Sequence, residues 1–402
     1  MRLALLLVAA CSGPVSIDGS TVDPTDPCEL STCVSDPEGD SVRIGWAEVA
    51  IGDDGVAWVS WAEIDGPLVT GLFVARSAAP GAPLGAPIRV PVAEPPFVGT
   101  TEKPALAVSD GRIAVAYTGF GPLRHGDAHA AYVQLGTVTD DGQVSFEPAV
   151  LFDTLSGTNH VLEHARVAFA PDGEAWVLWK RQVYGVSDLS LWARESEAWA
   201  PIEVSSSLSI EHDCSPPDFK FGPSGRALLA VRNNVAGFLE TVFVAGVEGV
   251  ASEVLQVSDD EWPYDAAICP EHGPRVAEGE DGLVVAAWIA PVLDSSVELR
   301  STWSTDGGAT FSPPALDHDS FGAPENWVAL AVTEDGRTLT VVQTTDGQSR
   351  LLERASPDAT PEVTLLETPD ADTDLESAEA ATGGGRTVIV AEAESGIYLF
   401  EQ

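Results

Sequence analysis

From about residue 43 to the C-terminus the chain repeats one arrangement of apolar and polar positions. A short strand-like run leads into a glycine turn, usually Asp-Gly, and then into a run of alternating apolar and polar residues that often ends in an aromatic. Alternation with a period of two marks a strand with unlike faces, and Asp-Gly marks a tight turn because glycine reaches positive φ without steric cost. The turn glycines are Gly55, Gly111, Gly173, Gly225, Gly282, Gly336 and Gly385, about 55 residues apart on average. Six residues after them stand Trp61, Tyr117, Trp179, Val231, Trp288, Val342 and Ala391, so an apolar column keeps its register through every repeat. Behind each of the first six hairpins come two more strand-like runs, such as 130–138 and 144–152 in the second repeat.

Four antiparallel strands per repeat is the unit of a β-propeller blade, which cannot bury both of its faces alone and does so by packing into a ring. The expected fold is therefore all-β, a β-propeller of four-stranded antiparallel blades over residues 43–402, with seven blades and six as the alternative. The seventh repeat ends after the strand at 396–400 and lacks its outermost strand. A segment of the N-terminal region is expected to supply it. The tryptophans of the column are read as packing between blades, not as a sugar-stacking surface.

Residues 1–10 read Met1, Arg2 and an apolar run to Ala10, a positive n-region followed by an h-region. The stretch Val8-Ala9-Ala10-Cys11 resembles the lipobox of bacterial lipoproteins. That resemblance implies a signal peptide over 1–10, a lipid on Cys11, and a protein held extracytoplasmically in the bacterial cell envelope, at the outer membrane or cell surface, with the lipid as its membrane partner. Residues 11–42, rich in Ser, Pro, Asp, Thr and Gly, read as a flexible tether. Four cysteines remain, and in an oxidising compartment two disulfides are expected. Cys28 with Cys33 and Cys214 with Cys269 is the simplest of three pairings, and zinc is the weaker reading because neither pair has C-x-x-C spacing.

In the fifth repeat, Ser304-Thr305-Asp306-Gly307-Gly308-Ala309-Thr310-Phe311 looks like the Asp-box, or BNR repeat, of sialidase-like propellers, carried by Ser304, Asp306, Gly308, Thr310 and Phe311. A degenerate copy spans Thr139–Phe146. The resemblance implies a fold, since the Asp-box is structural in that family. A sialidase also needs an arginine trio, a Tyr–Glu nucleophile pair and an acid/base Asp; Arg43-Ile44-Gly45 matches the family's early Arg-Ile-Pro only in part, and no catalytic set is recognisable.

The chain carries 62 acidic against 20 basic side chains, a net charge of −42. This excludes nucleic acid as an expected partner, because phosphate binding draws on Lys and Arg. A hydrophobic share of 44% excludes disorder of the whole chain. P-loop, GxGxxG, HExxH and GxSxG motifs do not occur. The loops entering the inner strands hold Glu163, His164, His212, Asp213, Glu271, His272, His318, Asp319 and Glu325. These are the candidate lining of a central mouth that takes a ligand or a divalent metal; no other cofactor is expected. A disulfide between Cys214 and Cys269 would staple two of those loops. The expected function is a binding or scaffold module for a protein or glycan, monomeric, with a sialidase-like glycoside hydrolase as the alternative.

Overall fold

The computed structural model describes residues 4–6 and 42–401, apart from the connecting segments 66–67, 94–102, 121–127, 140–141, 157–159, 184–185, 196–197, 203, 205–215, 236–237, 246–253, 259–261, 264–272, 293–295, 322–326, 344–347, 367–374 and 394–395. The described residues form strands and no helix, arranged in seven antiparallel sheets. The first sheet runs Val42–Ile51, Ala57–Asp65, Leu68–Arg76 and Ile88–Val90 from inside to outside. The next five begin with the inner strands Ala105–Ser109, His160–Phe169, Asp218–Phe221, Arg275–Glu278 and Val328–Val332. Leu375–Gly383, Arg386–Ala393 and Gly396–Glu401 build the seventh.

Its fourth strand comes from the N-terminal region, as the repeat arithmetic requires. Ala4–Leu6 pairs antiparallel with Gly396–Glu401, placing Leu5 opposite Phe400. These three residues fall inside the stretch that reads as a signal peptide. Cleavage before Cys11 would remove them and leave Gly396–Glu401 as the outer edge of that sheet.

Every sheet packs its two faces against its two neighbours, and each junction holds one apolar cluster. Trp58 and Leu72 meet Leu106 and Ile113 between the first and second sheets. Val59 and Trp61 meet Val388 and Val390 between the first and seventh, which closes the ring. The column six residues after the turn glycines is core throughout: Trp61, Tyr117, Trp179, Val231, Trp288, Val342 and Ala391 are all at most 2% exposed. Trp179 stacks on Trp192 with ring centres 6.4 Å apart and meets Phe152 at 5.1 Å.

Arginines that follow turn glycines tie neighbouring sheets together at one end. Arg112 donates to the Gly173 carbonyl and Arg386 Nη1 to the Gly55 carbonyl, each in the first hairpin of the next sheet. Arg226 pairs with Glu278 at 2.5 Å and also donates to Gly307 in the Ser304–Phe311 turn. That turn holds itself together as its residues suggest. Asp306 Oδ1 accepts from Ser304 Oγ at 2.7 Å and from Thr310 N at 2.9 Å, and Ser304 Oγ accepts from Gly308 N at 2.7 Å. The hydrogen bonds from Thr310 and Ser304 hold the Asp306 carboxyl well below its usual range. Gly307 and Gly308 have φ of 74° and 87°, and Phe311 packs against the cluster around Trp288.

Truncating Trp179 to Ala should cost about 3–5 kcal/mol, as for other buried tryptophans. Urea unfolding followed by fluorescence checks it, and a loss below about 1 kcal/mol would contradict the packing described.

Candidate functional site

The inner strands enclose an axial channel of about 520 Å³. Its walls follow from strand register. Five residues after each turn glycine, the second strand pairs with one inner-strand position, and this level is occupied in ring order by Glu48, Ala105, Arg166, Asp218, Arg275, Ala329 and Glu379. Five of seven positions at a single level are therefore charged, with both signs present. Two residues nearer the turns, the corresponding level is Ala50, Ala107, Ala168, Ala277, Ala331 and Ala381, broken only by Lys220. Small side chains here leave the channel open, and Asp53, Glu280 and Glu334 stand at its turn end.

Two of the charged residues are aimed by matching backbone irregularities. The first and third inner strands each carry a β-bulge, between Gly45 and Glu48 and between Glu163 and Arg166. Each bulge contains a residue at positive φ nine positions before the turn glycine, Trp46 at 61° and His164 at 54°. A bulge inserts a residue and redirects the side chains after it, so Glu48 and Arg166 reach the channel through the same device.

The charges form one network across the axis. Arg275 of the fifth sheet donates from Nη2 to Glu379 Oε1 of the seventh at 2.7 Å. Lys103, just before the second sheet, lies 3.5 Å from Glu379 and 3.7 Å from Glu392, and donates to Ser377 Oγ at 2.9 Å. Glu392 also accepts from the Ala47 backbone N–H. Asp218 accepts from Val276 N at 2.8 Å and pairs with Lys220 at 3.1 Å. The whole protein has three lysines, Lys103, Lys180 and Lys220. Lys103 and Lys180 are buried, while the Lys220 side chain keeps 33% exposure in the channel wall.

Burial sets the direction of each titration, and neighbours then correct it. Burial foremost, with the Glu379 charge beside it, pushes Glu48 up to about 7, against the pull of Arg166, Lys103 and Arg275. Burial would raise Glu379 too, but Arg275, Lys103 and Arg166 outweigh it and hold this carboxyl below its ordinary value. Asp218 is likewise held down, by Lys220, Arg275 and the Val276 N–H acting against burial. Two carboxyls in one channel are thus driven in opposite directions.

The residues singled out in the entry loops are dispersed. His164 is fully buried inside the third inner strand, with Nε2 3.3 Å from Glu163, whose carboxylate also lies 3.8 Å from Lys180. His318 and Asp319 belong to the outermost strand of the fifth sheet, Ala315–Phe321, far from the axis, and the His318 ring lies 3.5 Å from Arg350. His212, Asp213, Glu271, His272, Glu325 and all five cysteines, Cys11, Cys28, Cys33, Cys214 and Cys269, lie outside the described residues. No group of three or more His, Cys, Asp or Glu side chains suited to a metal ion occurs among the described residues. The described cavity extends from the charged level toward the hairpin turns, the end opposite those entry loops. The charged level was visible in sequence as a column seven residues before the turn glycines, at Glu48, Arg166, Asp218 and Arg275.

No family model matches the sequence, and no curated protein is found similar to it. Solved structures are similar in fold. The polysaccharide lyase Uly1 superposes with a TM-score of 0.55 at 10% identity, over 99% of this chain and 96% of that one. An ulvan lyase of family PL25, bound to -[GlcA(1-4)Rha3S]-, gives 0.55 at 11% identity over 89% and 93%. A sialidase from Trypanosoma rangeli gives 0.48 at 10% identity over 89% of this chain and 54% of its own, so the chain spans about half of that protein. The fold is an all-β propeller of antiparallel sheets.

Folded, Glu48 titrates near 7; unfolded, at its ordinary value of 4.5. The folded state therefore binds this proton more tightly, and the stability it contributes is full below 4.5 and lost as pH rises through 7. Glu48→Gln should remove that loss. Relative to the parent, the variant should gain on the order of 1–3 kcal/mol between pH 5 and pH 8. Urea titrations at both pH values measure it, and parallel pH profiles would contradict the assignment.

Proposed function

We propose that the protein is a binding module of the bacterial cell envelope, anchored through a lipid on Cys11, whose axial channel receives the acidic end of a glycan. The observation that carries this reading is the charged level itself: Arg166 and Lys220 stand in the wall of an open, alanine-sided channel of about 520 Å³ in a protein of net charge −42. That volume is in the range of small-ligand sites, roughly 300–1,000 Å³. Cations this scarce are costly to desolvate, and a carboxylate or sulfate group on a sugar is the chemistry that would use them. The fold likeness to a lyase bound to a uronate-containing saccharide is in keeping with such a ligand.

A second reading is an acidic-glycan-cleaving enzyme, favoured by one observation. Glu48 is raised to about 7 while Glu379 is lowered, and carboxyls pushed apart in this way supply an acid and a base at one pH. Product release from uronate-containing oligosaccharides by the parent, lost in Glu48→Gln, would establish it; no release by the folded parent removes it.

Binding is tested with the full chain by calorimetry, using D-glucuronate against D-glucose. Glucuronate should bind more tightly than glucose, and Lys220→Gln should weaken glucuronate at least about fivefold, the loss of a modest charge-assisted contact, with glucose unaffected. Equal affinity of parent and variant for glucuronate would remove Lys220 from the site, and no binding of either sugar would remove the channel reading.

A further inference from the structure

The charged level is incompletely satisfied. Glu48 Oε2 and the Nε and Nη1 of Arg275 are buried polar atoms without a hydrogen-bond partner. Such atoms each cost free energy on the order of 1–3 kcal/mol, so a cluster that keeps them has a use for unfilled capacity.

Its charge count shows what the use is. Around Glu48 stand Lys103 at the entry to the second sheet, Arg166 on the third, Arg275 on the fifth and Glu379 on the seventh, and through these the cluster extends to Asp218 and Lys220 on the fourth sheet and Glu392 on the seventh. With Glu48 ionised, the four cations Lys103, Arg166, Lys220 and Arg275 meet four carboxylates in this cluster, and Asp53, Glu280 and Glu334 at the turn end add only negative charge, so an incoming anion finds no surplus positive charge. With a proton on Glu48 the cluster carries one positive charge in excess. The buried, unpartnered Glu48 Oε2 is a place in the network where that proton can sit without breaking a hydrogen bond.

We propose that the channel takes up the anionic group of its ligand together with one proton, held on Glu48. The balance is simple: one negative charge and one proton enter, no covalent bond forms or breaks, and the cluster's net charge with its ligand returns to zero. The inference rests on the channel being the ligand site. Burial and Glu379 already place the Glu48 titration at about 7, so the proton is available near neutrality. His164, two residues before Arg166 on the third sheet and 3.3 Å from Glu163, is an imidazole near this level, and a Glu48 variant separates its contribution from that of Glu48.

The test is calorimetry of the full chain with D-glucuronate, which stays ionised throughout, from pH 5.5 to 8.5 and in two buffers of different ionisation enthalpy. The parent should bind about tenfold more weakly at pH 8.5 than at pH 5.5 and, at pH 7.5, take up roughly 0.6 proton per glucuronate, as linkage to a single site titrating near 7 requires. Glu48→Gln should bind with an affinity that is flat across the range and with no proton uptake. Glucuronate binding by the parent that is independent of pH, or an unchanged slope in Glu48→Gln, overturns the proton proposal and leaves the channel reading standing. No glucuronate binding at any pH by the folded parent overturns both. If Glu48→Gln does not fold, as judged by circular dichroism, the buffer pair on the parent alone decides: uptake of roughly 0.6 proton supports the proposal and uptake near zero overturns it.

Discussion

Each sheet of this chain has two apolar faces and no means of covering either by itself. Everything else follows from that need. Seven such sheets satisfy one another only in a closed circle, and the circle forces seven inner strands toward a common axis. Side chains near the axis then face each other at close range. The level of six alanines answers the crowding with small volume, whereas the level beside it brings Glu48, Arg166, Asp218, Arg275 and Glu379 into one electrostatic network. Charges brought so close in a poorly hydrated space stabilise the fold only when their signs interleave, and removing one partner leaves the other uncompensated. The chemistry of the channel and the closure of the circle are therefore one problem in packing.

Much of the architecture was legible because it repeats. The Asp-Gly turns and the column from Trp61 to Ala391 locate strands, core positions and sheet number from periodicity alone, since a strand whose two faces are both buried has little freedom to slip. The channel was less legible for specific reasons. Ala105 and Ala329 interrupt the charged column, Glu379 stands one place out of step with its turn glycine, and the bulges at Trp46 and His164 that aim Glu48 and Arg166 leave no mark in composition. The pair His318-Asp319, preceded by Asp317, resembled a loop because it is polar. It lies in an outermost strand in which the apolar Leu316 is exposed and the polar Asp317 side chain is buried against Arg354, so apolar alternation does not mark it.

The seventh sheet depends on residues from both ends of the chain. Phe400 and Leu399 pair on one side with Arg386–Ala393 and on the other with Ala4–Leu6. An apolar segment that suits a strand position also suits an export signal, because both select short runs of Leu and Ala. If residues 1–10 serve as the proposed signal, their removal leaves this sheet with its inner three strands.

The distribution of lysine carries a practical consequence. With Lys103 and Lys180 enclosed and Lys220 in the channel wall, the folded chain offers amine-directed reagents one side-chain target besides its amino terminus. A succinimidyl dye would report from inside the channel instead of coating the surface. A lysine-directed endoprotease would cut at none of the three before the sheets separate, because Lys220 too lies within a paired inner strand, which makes its digestion a readout of the ring opening.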